Sequence, residues 1–164
     1  MRHTPTPSRP LRIAFYGRVA RDDDGAEEQL ARQYERCRRA LPPGSITAVF
    51  YDVGPSDAGS KPAFDRLFIG GVHARRDGGL DDLLAEAVRE RRRFDYLTAS
   101  DPFRLSRNPG RANELLHRLR LARVQPLFPL VAGTAHTADA IDLLLSAVPA
   151  GNRARITRRA GGAR

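Results

Sequence analysis

"RIAFYGRVARDDDGAEEQLARQ", residues 12–33, decides the fold. It passes from a short apolar stretch through a polar turn into residues whose apolar positions recur at helical spacing, a strand–turn–helix unit. The strand is Leu11–Tyr16. The helix spans about Glu27 to Leu41, with Leu30, Tyr34, Cys37 and Leu41 on one stripe and Asp24 followed by Glu27 as a capping box. Working outward, the alternation repeats. "ITAVFYD" (46–52) is a second strand, and Leu80, Leu83, Leu84, Ala87 and Val88 mark a helix ending in the basic run 89–93. "FDYLTA" (94–99) is a third strand, and Leu115, Leu116, Leu119 and Ala122 mark the next helix. "VQPLFPLV" (124–131) is a fourth, confined to an edge or a bulge because Pro126 and Pro129 lack a ladder donor. The pattern implies an α/β fold with a mostly parallel four- to five-stranded sheet flanked by helices. In such a sheet the loops after the strands build the site, here 17–26, 53–79 and 100–110. The long loop 53–79 is rich in Gly, Pro, Ser and Asp, with one helical turn in "PAFDRLF".

The 164 residues suit one domain. Residues 1–10 are polar and proline-rich and read as a disordered arm, 11–148 as the domain, closed by a helix at Thr137–Val148, and 149–164 as an interrupted helix and flexible tail. No apolar leader region and no run of membrane-spanning length stands in the sequence, which implies a soluble cytoplasmic protein without membrane contact. The single Cys37 excludes an internal disulfide framework and falls on the core stripe of its helix. The acidic triplet 22–24 reads as a solvated helix start rather than a metal site. His73 and His136 fall in loops without ligand-spaced partners, and neither a GxGxxG nor a P-loop follows the first strand. Neither a metal nor a cofactor is implied.

Of 28 basic residues only Lys61 is lysine, against 19 acidic ones, for a net charge of +9. A GC-rich coding sequence and phosphate binding both favour that arginine bias. The charge makes a polyanion the natural partner without separating DNA, RNA and an acidic protein. Arg18, Lys61, Arg104 and Arg107 lie in three separate site loops. Brought together, such cations would suit a phosphodiester and the charge that develops on it during phosphoryl transfer. Left apart, they are ordinary solvated loop residues.

Five stretches carry a resemblance. "YGRVA" (16–20) resembles the Tyr-x-Arg-Val-Ser motif of the serine recombinases, the resolvase/invertase family. The helix "EEQLARQYERCRRAL" resembles that family's first helix, including its glutamine, here Gln33. "KPAFDRL" and "FRLSRNP" are similar to its Arg-Pro-x-Phe-x-x-Leu and Asp-Arg-Leu-Ser-Arg-Asn stretches, and "LLSAVPAGNRARITRR" to the start of its long dimer helix. The resemblance covers about residues 11–159. It implies a resolvase-like catalytic domain that breaks and rejoins DNA, with Arg18, Arg104 and Arg107 around the phosphate and Lys61, Arg153 and Gln33 as further phosphate- or DNA-binding residues. A homodimer, or a heteromer with a recombinase, is implied as well.

The sequence also departs from the family. The nucleophilic serine corresponds to Ala20, whose methyl group cannot attack phosphorus. The aspartate before the arginine pair corresponds to Phe103, with Asp101 nearby but separated by Pro102. The glutamate of the dimer helix corresponds to Asn152, and that helix contains Gly151 and Pro149, a residue costing about 3 kcal/mol in a helix interior. The implied function is a recombinase catalytic domain impaired in catalysis, making weak, non-specific contact with the DNA backbone. Alternatives remain: an interaction module or remnant that pairs with an intact relative or another partner, and an enzyme using another hydroxyl such as Ser106, Ser60 or Tyr16.

Overall fold

The computed structural model describes residues 10–21, 23–54, 62, 64–69 and 72–129. Lys61, Ser60 and Arg153 fall outside the described residues, as do nearly all of the arm 1–10, the helix expected at 137–148 and the tail 149–164.

The first strand, β1 (Ile13–Val19), is buried along its whole length and leads into helix α1 (Ala26–Ala40) and strand β2 (Ile46–Val53). β1 extends further toward its carboxyl end than the sequence suggested. It takes in Gly17, Arg18 and Val19, because β2 runs beside it as far as Val53. The expected capping box does not form. Gly25 is the N-cap of α1 without a side-chain bond, and Asp23 Oδ1 accepts from the Gly25 N–H at 3.1 Å.

The stretch 53–79 differs most from its reading as a loop with a helical turn. Residues 66–69 and 72–75 form an antiparallel hairpin, β3 (Arg66–Ile69) and β4 (Val72–Arg75), so His73 lies in a strand. Helix α2 (Leu80–Ala87) follows, then the short β5 (Tyr96–Thr98), a single 3₁₀ turn at Pro102–Arg104, helix α3 (Pro109–Leu121) and β6 (Gln125–Pro126). The sheet order is β2-β1-β5-β6, and every pairing in it is parallel. β6 stands at the edge, where Pro126 costs the ladder no needed donor. Both β5 and β6 are shorter than expected, three and two residues.

Alternation along β1 divides the core between two faces. Phe15 and Val19 pack with Leu30, Tyr34 and Cys37 of α1 and with Leu67 of the hairpin. Ala14 and Tyr16 pack on the other face with Leu83 of α2 and Leu115 and Leu119 of α3. Gly17 has a steric reason: a Cβ there would lie 2.8 Å from Leu30 Cδ2 and from Phe15 Cζ, so α1 rests on bare backbone. The basic run 89–93 is not simply a solvated helix end. Arg93 pairs with Glu86 at 2.7 Å, and Arg92 donates to the carbonyls of Phe94, Ala87 and Arg123. No helix among the described residues is long and apolar enough to cross a membrane.

Candidate active site

The chain places β2 on one side of β1 and then crosses over to place β5 on the other, so the sheet's direction of winding reverses between β1 and β5. At such a point the loops beyond the strand ends diverge and leave a crevice. β5 pairs only as far as Thr98 opposite Phe15, while β1 continues to Val19. Since the Val19 carbonyl accepts from Gly54 on the β2 side, the Arg18 main chain faces the side where β5 has ended. The carboxamide of Gln33 takes the place of the missing strand. Its Oε1 accepts from the Arg18 N–H at 3.1 Å and its Nε2 donates to the Arg18 carbonyl at 3.0 Å.

The Arg18 side chain is 8% exposed and lines a cavity of about 160 Å³ with Tyr16, Asp52, Arg76, Ser106 and Arg111. Among the described residues its guanidinium makes no ion pair or hydrogen bond. Three carboxylates line the cavity, Asp52, Asp81 and Asp82, and Asp82 Oδ2 accepts from the Gly79 N–H at 2.9 Å. Asp52 Oδ2 accepts from the Tyr16 hydroxyl at 2.9 Å and from the Leu80 N–H at 2.9 Å, and Oδ1 lies 3.5 Å from Arg76 Nη2. Gly79 permits that approach, since a Cβ there would collide with Asp52 Oδ1. Burial first, and the neighbouring Asp52 second, push the Tyr16 hydroxyl far above its ordinary pKa, so it remains a protonated donor. Ser106 is 7% exposed, and its Oγ accepts from the Asn108 N–H at 3.2 Å. Asn108 in turn caps α3 by accepting from the N–H groups of Gly110 and Arg111, which sets Arg111 in the first turn beside the cavity.

The expected convergence of Arg18 with Arg104 and Arg107 is therefore rearranged. Arg104 does not line the cavity; its Nε donates to Asp101 Oδ2 at 2.9 Å and its Nη1 reaches the Arg18 carbonyl at 3.5 Å. Arg107 is exposed and stands outside the lining. The arginines that share the cavity with Arg18 are Arg76 and Arg111, which sequence reasoning passed over. Arg76 follows a hairpin strand the sequence had not revealed, and Arg111 needed the capping role of Asn108 to be placed. Asp101 does what Phe103 cannot. The 3₁₀ turn through Pro102 brings its carboxylate back to Arg104, while Phe103 points outward and is 61% exposed. Ala20 is half-buried, two residues beyond Arg18 at the end of β1.

No protein-family model matches the sequence, and no curated protein matches it. Solved structures do. The catalytic domain of ISC1926 TnpA, an IS607-like serine recombinase, superposes with a TM-score of 0.50 at 18% identity, over 83% of this chain and 80% of that one. The catalytic domain of TP901-1 integrase gives 0.49 at 16% identity over 82% and 92%, and a serine recombinase from Sulfolobus solfataricus 0.48 at 13% over 83% and 81%. Identities this low speak for architecture alone, and the architecture of this chain is the α/β fold, with its largely parallel sheet, of a serine recombinase catalytic domain.

Proposed function

We propose that this chain is a serine-recombinase-type catalytic domain that grips a DNA phosphodiester and lacks the atom needed to cut it. The observation that carries the reading is the Arg18 side chain, 8% exposed, lining a cavity at the carboxyl end of β1 and without a hydrogen bond or ion pair among the described residues. A guanidinium held at a cavity mouth with its N–H groups unused can donate them to a phosphate that enters there. Arg18 and Arg111 would hold the non-bridging oxygens. Arg104, aligned by Asp101, would add positive potential beside the Arg18 carbonyl, with Arg107 at the rim and Lys61 and Arg153 as auxiliary cations. Gln33 would act by fixing the Arg18 main chain.

Cleavage requires a hydroxyl to give up its proton as its oxygen bonds to phosphorus, while the bond to the 3′ oxygen breaks and that oxygen takes up a proton. Ala20 offers none. Of the other candidates, the Tyr16 hydroxyl is spent on Asp52 and the Ser106 Oγ accepts from Asn108. Binding rests on phosphate contacts, so it falls steeply with salt as the entropy gained by releasing condensed counterions shrinks. Pairing with a second copy or with an intact recombinase belongs to this proposal too.

The test compares the native chain with Ala20→Ser on supercoiled and linear DNA over a salt series, reading retardation and covalent adduct. Salt-sensitive retardation by both, with adduct only from Ala20→Ser, is the expected result. No retardation by either chain at low salt overturns the reading, and adduct from the native chain overturns the loss of the nucleophile.

A further inference from the structure

The β3–β4 hairpin pairs Arg66 with Arg75, Leu67 with Ala74 and Phe68 with His73. Side chains alternate across a strand, so each pair faces one way. Leu67 and Ala74 are buried in the core beneath α1, and Arg66, Phe68, His73 and Arg75 are all exposed on the opposite face. Phe68 is 53% exposed, and its ring meets that of His73 edge to face at 4.8 Å between centroids. Two features of this face are unfavourable to the free chain. Like charges directly opposite each other on paired strands repel. Among the described residues Arg66 pairs only with Asp65, at 4.0 Å with both side chains well exposed, and Arg75 has no ion pair. Beside the arginine pair, the Phe68 ring stands half-exposed against His73.

We propose that this face is a second nucleic-acid contact, which takes unpaired nucleotides by stacking a base on Phe68 beside the His73 ring and holding a phosphate between Arg66 and Arg75. The two cross-strand pairs are one pleat repeat apart, about 7 Å, which suits a base and its own phosphate. A phosphate between the guanidinium groups relieves their repulsion, and a base covers the phenyl ring. A duplex hides its base faces in its own stack, whereas a single strand of DNA or RNA offers them, which selects unpaired nucleotides. The inference does not depend on the cavity at Arg18.

The chain has no tryptophan, so Phe68→Trp places a unique fluorophore on the face. Its emission is expected to be quenched by oligothymidine and oligouridine of about 15 residues, and not by a duplex of the same length. Quenching by only one of them reports the 2′-hydroxyl or the thymine methyl group and supports the proposal. Phe68→Ala is expected to weaken single-strand binding about fivefold or more by fluorescence anisotropy, and Arg75→Ala to lower the salt slope by about one. Duplex retardation should survive both, while Arg18→Met should abolish duplex retardation and leave the tryptophan quenching intact. Unchanged emission in the presence of single strands overturns the proposal, as does single-strand binding by Phe68→Ala equal to that of the native chain. Quenching that depends only on protein concentration also overturns it, and assigns the face to a second copy.

Discussion

Two arginines flank β1, and the chain treats them in opposite ways. Arg12, before the strand, is fully used: Nε and Nη2 donate to Asp95 at 2.9 and 2.8 Å, and Nη1 donates to the Arg92 carbonyl at 3.2 Å. That bond to Asp95 raises its pKa further, and the arrangement fastens the entrance of β1 to the segment leading into β5. Arg18, near the strand's exit, is the more deeply buried of the two and has no partner among the described residues. An exposed arginine can leave its partner for water at little cost, whereas a buried one cannot. The better-paired residue is therefore the structural one, and the worse-paired residue marks a place prepared for an anion. Around them the α1 side of the sheet is closely packed, and the α2/α3 side opens into the cavity.

The largest effect that would break this contrast lies on the packed side. Cys37, buried under α1, has its thiol pushed up to about 12 from 9.0, chiefly by burial. The folded chain keeps a proton that the unfolded chain releases, so stability is full below pH 9 and falls as pH rises toward 12. Across that window the loss is on the order of 4 kcal/mol. Denaturant midpoints measured against pH should fall less steeply in Cys37→Ala, the remaining slope coming from Tyr16, Tyr34 and Tyr51, whose hydroxyls are also raised. Equal slopes would mean that water reaches the α1 interface. Next, Gly17→Ala sets a methyl group against Leu30 and Phe15 and should cost about 2–3 kcal/mol in the same measurement.

Asp95→Ala releases Arg12 from its half-exposed pair and should cost about 1 kcal/mol. The smallest effect on stability is expected at Arg18. Arg18→Met keeps the bulk and removes a charge that has no hydrogen bond or ion pair among the described residues, so the melting temperature should hold or rise while DNA retardation is lost. If Arg18→Met destabilised the chain as much as Asp95→Ala, the contrast between the two arginines would collapse.

The main sheet and its helices were legible because periodicity over many residues reports burial directly. The second strand and the stripe through Leu30, Tyr34 and Cys37 read as they fold, and the first strand was placed correctly at Ile13–Tyr16 but runs on to Val19. The hairpin was missed although "RLFIGGVHAR" carries two glycines between two four-residue apolar-containing runs, because the Gly, Pro and Ser before it suggested a loop. The site was half legible. Arg18 stood in a recognisable turn, but its companions depend on backbone geometry that spacing does not encode. A 3₁₀ turn returns Asp101 to Arg104, and the cap at Asn108 carries Arg111 to the cavity while Arg107 is left outside.

The bond pair between Gln33 and the Arg18 main chain makes α1 and the exit of β1 mechanically one part. Shifting the helix along its axis means dragging the arginine's backbone with it or breaking two hydrogen bonds at the end of the sheet. The outer surface of α1, crowded with Arg32, Arg36 and Arg39, is thereby a handle on the cavity: whatever grasps it pulls on the seat of Arg18.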